Sequence, residues 1–441
     1  MRKIIIYFGI FVAIATIAGI VWHLRPVRKL PNVVLIVADT LRADHLPFYG
    51  YNRTDTPFLA SLAKRSILFE HTWAPSSWTA PATASIFTSL YPFQHGVIRN
   101  FMTTKVRMGL DPKLIMARLP NGAVTMAEIL KNAGYKTFGV SMNINITKEL
   151  NFNQGFDRFV YKEGKDADIA NSQLREWKKE IHSAQPSFVY VQYMDCHIPY
   201  GRVSPWYKPG SDKQSDQMAA YDSEICYLDR RIQEISHLLG WERDTLFIFT
   251  SDHGEEFKEH GHFSHGATLY RETIQVPLFI ILPEKIAPRR VAANVSLLDI
   301  LPTIRDYLDL GNDKDNAGIS LRPYWETPHD LPAERTIFSH LSKMKKIPKI
   351  KNIKFYTARA VIFKNWHTIF SVFPTRKQLF DWRRDPLEKK NQLKNDRGLG
   401  QYLISKFLQF EKSCLKLIQD NVVIKLDAKK IRELKTLGYV E

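Results

Sequence analysis

Apolar runs alternate with amphipathic segments along the chain, and this alternation predicts the fold class. Four runs rich in β-branched and aromatic residues lie at 33–37, 188–194, 245–250 and 276–282. Such runs are typical of strands buried on both faces of a parallel sheet. Helix-like segments separate them, so we expect a three-layer α/β/α sandwich around a mostly parallel sheet.

Helical periodicity marks the segments between these strands. In residues 56–69, for example, Phe58, Leu59 and Leu62 fall on one side of a predicted helix. Further elements are predicted as helices at 125–132, 218–239 and 295–308 and as a strand at 136–140.

The pattern changes beyond about residue 318 to shorter, aromatic-rich strands at 357–363 and 367–373, followed by a helix at 400–416. This change in the sequence pattern favours a small C-terminal α+β subdomain. We therefore expect three parts, an N-terminal segment, a large domain and a subdomain, with boundaries at 1–30, 31–318 and 319–441.

Residues 4–22 form an uncharged apolar run with basic residues on both flanks. Its length suffices for a transmembrane helix. A cleaved signal peptide is the alternative, because Ala13 and Ala15 offer a small-residue cleavage site. We expect a single-pass anchor in the cell membrane, although the similar positive charge on its two flanks does not orient it.

The formal net charge of +17 predicts a surface that attracts anions such as phosphate esters, sulfate esters or anionic lipid. Nucleic acid is not expected, since the chain has neither zinc-finger spacing nor an aromatic RNA-binding signature. Lysines cluster at 343–354, either as a solvated loop or as a contact with anionic lipid. Three scattered cysteines give no disulfide framework.

Polar residues with metal-binding chemistry follow two of the predicted strands. Asp39 comes after the 33–37 run, and Asp252 and His253 come after the 245–250 run. Ligands of open α/β sheets bind beyond the carboxyl ends of strands. We expect one divalent cation there, Zn²⁺, Mn²⁺, Mg²⁺ or Ca²⁺, held by these three residues and Thr79.

Thr79 stands where a Pro-rich turn opens into a predicted helix. A cation in contact with its oxygen would make it a nucleophile. The alternative is a plain N-terminal cap, since Pro81 follows it.

His197 and His265 are further candidates, because they follow strand-end or loop signals and could hold a transferring group or protonate a leaving group. Structural roles are their alternative. His260 and His262 crowd beside His265, which favours an active-site loop. Arg42 and Asp44 are candidates for a structural salt bridge.

These residues belong to a longer ordered set of motifs, and with them the chain resembles the sulfatase family of the alkaline phosphatase superfamily over roughly residues 31–441. The motifs are Val-Ala-Asp39, Thr-Ser-Leu-Tyr-Pro from Thr88, His95-Gly96, Gly155-Phe-Asp157, His197-x-Pro199-Tyr200, Ser-Asp252-His253-Gly254-Glu255, Leu298 to Thr303, and Gln378 to Asp381 followed by Asp385-Pro386. The resemblance implies a large α/β sandwich with a small C-terminal sheet domain and an extracytoplasmic placement.

The chain departs from that family at the positions of the nucleophile and of the sulfate-binding residues. Sulfatases carry a Cys or Ser that is oxidised to formylglycine where this chain has Thr79, which cannot give that aldehyde. Thr83 stands where the family has its signature Arg, and Thr40 stands where it usually has a second Asp. The Gly-Lys-Trp-His segment that binds sulfate in many members has no counterpart near residues 141–143. His265 stands near the place of a usual lysine.

The first expectation is a metal-dependent enzyme that cleaves or transfers a phosphoester, a phosphodiester or phosphonate ester, through a covalent Thr79 intermediate. A second is a sulfatase that hydrolyses sulfate esters without formylglycine. A third is a catalytically inactive, membrane-anchored protein that binds polyanions through its basic surface.

Overall fold

The computed structural model describes residues 30–98, 113–184, 186–284, 286–311, 313–327, 334–346, 353–371, 374–414, 416–417, 420–425 and 428–436. The predicted membrane segment at 4–22 and the side chains of the lysine cluster at 343–354 lie outside the described part. Within the ranges just given, none of the helices combines the length and apolar character that crossing a bilayer requires.

The strands follow in chain order. They are β1 Asn32–Ala38, β2 Ile67–Trp73, β3 Lys113–Arg118, β4 Lys136–Ser141, β5 Arg158–Tyr161, β6 Ser187–Tyr193, β7 Thr245–Thr250, β8 Glu256–Phe257, β9 Phe263–Ser264, β10 Gln275–Ile281, β11 Arg289–Ser296, β12 Ile337–Lys346, β13 Ile353–Phe363, β14 Trp366–Ser371, β15 Arg376–Asp381 and β16 Asp420–Lys425.

An eight-stranded sheet has the order β11-β2-β10-β7-β1-β6-β4-β5. Strand β1 pairs in parallel with both β6 and β7. The pairs β4–β5, β4–β6 and β11–β2 are also parallel, whereas β10 runs antiparallel to β2 and β7. The prediction of a mostly parallel central sheet is confirmed.

The helices pack in two groups. They are α1 Pro57–Ala63, α2 Thr79–Thr88, α3 Pro92–His95, α4 Met126–Asn132, α5 Ala167–Ser183, α6 Lys213–Leu239, α7 Arg271–Ile274, α8 Ile300–Tyr307, α9 Pro323–Glu326, α10 Arg397–Ser413 and α11 Ala428–Thr436. Helix α6 contacts α1 and α5, and α2 contacts α4 and α8. Every residue of β1 from Val33 to Ala38 is fully buried, so both faces of the sheet are covered.

Two predicted helices were wrong in part. The helix predicted at 56–69 ends at Ala63, and Ile67–Trp73 is instead strand β2. The exposed Lys64 and Arg65 form the turn between them. The helix predicted at 295–308 begins later, because β11 continues to Ser296. There the Ser296 side chain accepts from the Leu298 N–H and caps a short 3-10 helix before α8.

A separate four-stranded antiparallel sheet follows the large one, in the order β12-β13-β14-β15. The predicted strands at 357–363 and 367–373 correspond to parts of β13 and β14, and the predicted helix at 400–416 corresponds to α10. The hydrophobic core beside this second sheet contains residues from both the large domain and the C-terminal subdomain. They are Tyr91, Leu298, Phe338, Val361, Phe370, Leu379, Leu403 and Phe407. The boundary at 318/319 falls between the two sheets and stays a prediction.

Candidate active site and metal centre

The candidate site lies at the carboxyl ends of four neighbouring parallel strands. In the sheet order β7-β1-β6-β4, the residues at or just after these ends are Asp252 with His253, Asp39, Gln192 and Asn143. Strands β1 and β7 are in register, with Val37 opposite Thr250. Crevices at this edge are where α/β sheets bind ligands, so the strand order itself assembles the site.

Thr79 is brought to the same point by the start of helix α2. Its side chain is 1% exposed. The hydroxyl oxygen lies 3.4 Å from Asp39 Oδ2 and 3.3 Å from His253 Nε2. The capping alternative was wrong: the N-cap residue is Trp78, and Thr79 is the first helical residue. Its hydroxyl is therefore directed to the acidic cluster instead.

Asp39, Asp252 and His253 have the donor set and spacing of a cation site. One ligand atom of each lies within 4.8 Å of the others. His253 Nε2 is 3.6 Å from Asp39 Oδ1 and 3.6 Å from Asp252 Oδ2. Asp39 Oδ1 is buried and has no hydrogen-bond partner among the described residues. Two carboxylates and one imidazole suit Zn²⁺, Mn²⁺ or Mg²⁺ and less clearly Ca²⁺, so the residues fit a divalent cation.

The tautomer of His253 supports the same assignment. Its Nδ1 lies 2.9 Å from the carbonyl oxygen of Gly254 and therefore carries the proton. The lone pair then resides on Nε2, the nitrogen nearest to the two carboxylates. A backbone carbonyl that fixes the ring in this way is a common support for metal-binding histidine.

The two carboxyl groups are strongly perturbed. Burial, reinforced by the nearby charge of Asp252, raises the pKa of Asp39 to about 8. Burial also raises the pKa of Asp252 to about 7. Two buried carboxylates side by side resist ionisation until a positive charge joins them. A cation would supply that charge.

Two amides that the sequence reasoning missed also hold Asp39. Asn143 Nδ2 donates to Asp39 Oδ2 at 2.8 Å and to Thr79 Oγ1 at 3.1 Å. Gln192 Nε2 donates to the same Asp39 oxygen at 2.9 Å, and its own oxygen accepts from the Tyr190 hydroxyl. A lone polar residue within the apolar 188–194 run was the available signal for Gln192.

The predicted histidines line up beside His253. The ring centroids of His253 and His265 are 4.6 Å apart, and those of His265 and His197 are 4.8 Å apart. Burial and the neighbouring His265 hold the pKa of His197 well below its usual range. Its Nδ1 lies 2.6 Å from the Ile198 carbonyl oxygen, so this ring is neutral with its proton on Nδ1.

His265 is oriented by a third missed residue, Glu255. His265 Nδ1 lies 3.1 Å from Glu255 Oε1, and both side chains are buried. Burial raises the pKa of Glu255 to about 8. Glu255 follows directly after Asp252-His253-Gly254, so its position in the motif was visible while its role was not.

His260 lies in a different group from His265. Its Nδ1 is 2.6 Å from Glu272 Oε1, and its Nε2 is 3.2 Å from the Glu388 carbonyl oxygen. Burial lowers the pKa of His260, but the bond to Glu272 outweighs it and the net shift is upward. With both ring nitrogens facing acceptors, His260 ties the loop to the C-terminal region.

Arg42 and Asp44 form the predicted salt bridge, at 2.8 Å. Arg42 also pairs with Glu259 at 2.5 Å. These contacts brace the loop between β7 and β10 that carries His265.

Known proteins share this architecture. Residues 31–310 match the sulfatase family. The chain is 25% identical over 342 residues to an ulvan-active sulfatase of Formosa agariphila, covering 66% of this chain and 63% of that protein. It is 24% identical over 340 residues to arylsulfatase A of Homo sapiens, covering 63% and 64% respectively. These alignments span less than two thirds of either relative.

A solved structure gives the same result at the level of the fold. The crystal structure of a phosphonate monoester hydrolase of Agrobacterium radiobacter superposes with a TM-score of 0.69 at 20% identity, covering 87% of this chain and 95% of that one. This likeness extends the fold agreement to almost the whole described chain. The family itself is shown by the match over residues 31–310, and the chain therefore belongs to the sulfatase family.

Proposed function

We propose that this protein cleaves or transfers a phosphoester, a phosphodiester or phosphonate ester, through a covalent intermediate on Thr79. The observation that carries the proposal is the position of a threonine hydroxyl, 3.3 Å from His253 Nε2 and 3.4 Å from Asp39 Oδ2, at the centre of the buried cluster. A positioned hydroxyl beside a cation-binding group is the arrangement of an activated nucleophile.

Asp39, Asp252, His253 and Thr79 Oγ would hold one divalent cation. When bound, such a cation lowers the pKa of a hydroxyl and neutralises charge on a transferring group. The donor set suits Zn²⁺, Mn²⁺ or Mg²⁺ and, less well, Ca²⁺.

The reaction has two halves. In the first, Thr79 Oγ, having lost its proton to solvent, bonds to phosphorus while the ester P–O bond breaks. The departing oxygen takes a proton, for which His265 is the candidate donor because the Glu255 carboxyl, 3.1 Å from its Nδ1, orients the ring beside His253. In the second, water or an alcohol attacks phosphorus, gives up its proton, and the Thr79 Oγ–P bond breaks.

The choice of phosphorus over sulfur rests on Thr79 itself. Formylglycine lets sulfatases release sulfate by hemiacetal breakdown, and oxidation of a threonine side chain would give a ketone. A phospho-threonine, in contrast, can be resolved by direct attack of water or an alcohol at phosphorus. The basic surface, with a net charge of +17, suits an anionic ester of either kind.

Hydrolysis of sulfate esters is the second candidate, favoured by the names of the relatives, which are sulfatases. The phosphonate monoester hydrolase favours the first candidate. These similarities therefore do not choose between the two, and a direct comparison of substrates does. The predicted membrane anchor at 4–22 and an extracytoplasmic catalytic domain complete the proposal.

The test compares wild type, Thr79→Ala and Thr79→Ser on an aryl phosphodiester and an aryl sulfate, each assayed with added divalent cation. We expect faster turnover of the phosphodiester, a loss of about a thousandfold or more in Thr79→Ala, and substantial activity in Thr79→Ser. Faster turnover of the sulfate would favour the second candidate. An undiminished Thr79→Ala variant would exclude Thr79 as the nucleophile.

A further inference from the structure

Asn143 contacts the oxygen of Thr79 that the proposed reaction uses. It follows the end of β4 and is fully buried. Its Nδ2 lies 3.1 Å from Thr79 Oγ1 and 2.8 Å from Asp39 Oδ2. A third contact of the same nitrogen is to Met194 Sδ at 3.2 Å.

The orientation of this amide is fixed by its other end. The Asn145 backbone N–H donates to Asn143 Oδ1 at 2.9 Å, and Asn145 Nδ2 donates to it at 3.0 Å. A backbone N–H can only donate, so the atom facing it must be the oxygen of Asn143. The nitrogen of the amide therefore faces Thr79.

We propose that Asn143 is a catalytic residue whose N–H stabilises Thr79 Oγ as it leaves phosphorus. The inference rests on the proposed function. In this half-reaction the attacking oxygen bonds to phosphorus and loses its proton, the Thr79 Oγ–P bond breaks, and the electron pair stays on Thr79 Oγ. The Asn143 N–H then meets a developing negative charge at hydrogen-bond distance.

The same bond acts differently in the two halves. During attack, Thr79 Oγ loses negative charge, so a donor that stabilises the free oxyanion gives little help. During departure, Thr79 Oγ gains negative charge, and the hydrogen bond strengthens as the transition state is reached. Only interactions stronger in the transition state than in the ground state accelerate a step.

The matched variants are Asn143→Leu, which keeps the branched shape without an N–H, and Asn143→Ser, whose hydroxyl is about one bond length too short for Thr79. Asn171→Leu is the control. Asn171 is also fully buried, and its amide bonds the Arg231 carbonyl and the Tyr193 hydroxyl. It therefore reproduces the loss of a buried amide elsewhere in the fold.

The full-length chain loaded with Mn²⁺ is mixed with bis(4-nitrophenyl) phosphate. Release of 4-nitrophenolate reports formation of the adduct, and intact-protein and peptide mass spectrometry report its decay from Thr79. In both Asn143 variants we expect decay to slow ten- to hundredfold, as for a hydrogen bond to a charged group, with formation changed less than about threefold. A burst approaching one equivalent should appear. Because Asn143 also donates to Asp39, a proposed cation ligand, both rates are measured at saturating Mn²⁺ and the manganese content of each variant is determined.

Equal slowing of formation and decay would overturn the inference, because it would show that Asn143 only positions Thr79. Unchanged decay would overturn it as well, as would the same asymmetry in Asn171→Leu. If Asn143→Leu does not fold, Asn143→Ser decides. A wild type that forms no adduct on Thr79 would refute the proposed function and the inference together, whereas a wild-type adduct with unaltered decay in the variants refutes the inference alone.

Discussion

His95 should make the fold sensitive to acid. Its ring is completely buried, Val97 N–H donates to its Nδ1 at 3.1 Å, and its Nε2 lies 3.1 Å from Ser85 Oγ. Burial lowers the pKa of His95 from 6.5 to about 3. Since Ser85 lies in helix α2, this ring holds the helix that presents Thr79.

The sign and size follow from proton linkage. Near pH 8 the ring is almost entirely neutral in both the folded and the unfolded chain, so His95 contributes very little pH dependence there. Below pH 6.5 the unfolded chain binds a proton that the folded chain does not, and the free energy of unfolding therefore falls with pH. Between pH 8 and pH 5 this costs about 2 kcal/mol, nearly independent of how far below 5 the folded pKa lies.

His340 adds a second group of the same kind. Its pKa is lowered to about 3 by burial, with Arg359 and His95 contributing. The two histidines together should cost about 4 kcal/mol at pH 5, a large part of the 5–15 kcal/mol typical of domains. Acid should therefore unfold this protein earlier than its carboxylates alone would require.

The assay is urea unfolding of wild type, His95→Gln and Ser85→Ala at pH 8, 6.5 and 5, followed by tryptophan fluorescence. His95→Gln should lose about 2 kcal/mol less than wild type between pH 8 and pH 5. Ser85→Ala breaks the same hydrogen bond without removing the titrating group, so it should show the full wild-type loss from a lower starting stability. If His95→Gln loses as much as wild type, the reasoning is refuted.

Further predictions concern the cation, the anchor and helix α1. Asp252→Asn and Asp39→Asn should lower bound metal and turnover together, measured by elemental analysis and assay; full occupancy in both variants would contradict the site. Removing residues 1–30 should release a soluble, active domain, unless the native N-terminus proves to lie near residue 19. Asp229 accepts from the Phe58 and Leu59 N–H groups at 3.1 and 2.7 Å, so Asp229→Ala should lower the free energy of unfolding by about 2 kcal/mol.

Part of the site could be predicted because it follows the simplest rule of a parallel sheet. Asp39 and Asp252 come directly after apolar runs, and the structure places those runs side by side as β1 and β7. The order of the remaining strands was not predictable, because crossover connections hide which strand lies beside which. Strand β2 was missed for a local reason: Leu68 continues the helical period of 56–69 by coincidence.

The missed residues are those whose roles depend on orientation. The nitrogen of Asn143 faces Thr79 because Asn145 donates to the oxygen of the same amide. The nitrogen of Gln192 likewise faces Asp39 because the Tyr190 hydroxyl donates to the Gln192 oxygen. Neither partnership has a spacing that a sequence pattern would reveal. A metal-binding carboxylate can be inferred from residue type and position, whereas the direction of an amide needs coordinates.

The amides of Asn143 and Gln192 both donate to the same carboxyl group, that of Asp39. Its Oδ2 receives Asn143 and Gln192 at 2.8 and 2.9 Å, while Oδ1 faces His253 without a hydrogen bond from the described residues. These two amides and the Thr79 hydroxyl at 3.4 Å stabilise the ionised form in part, yet burial still raises the pKa of Asp39 to about 8. The proposed cation, on the side of Oδ1, would supply the remaining stabilisation. In the proposed site the two amides would therefore hold Oδ2 and leave Oδ1 to the cation.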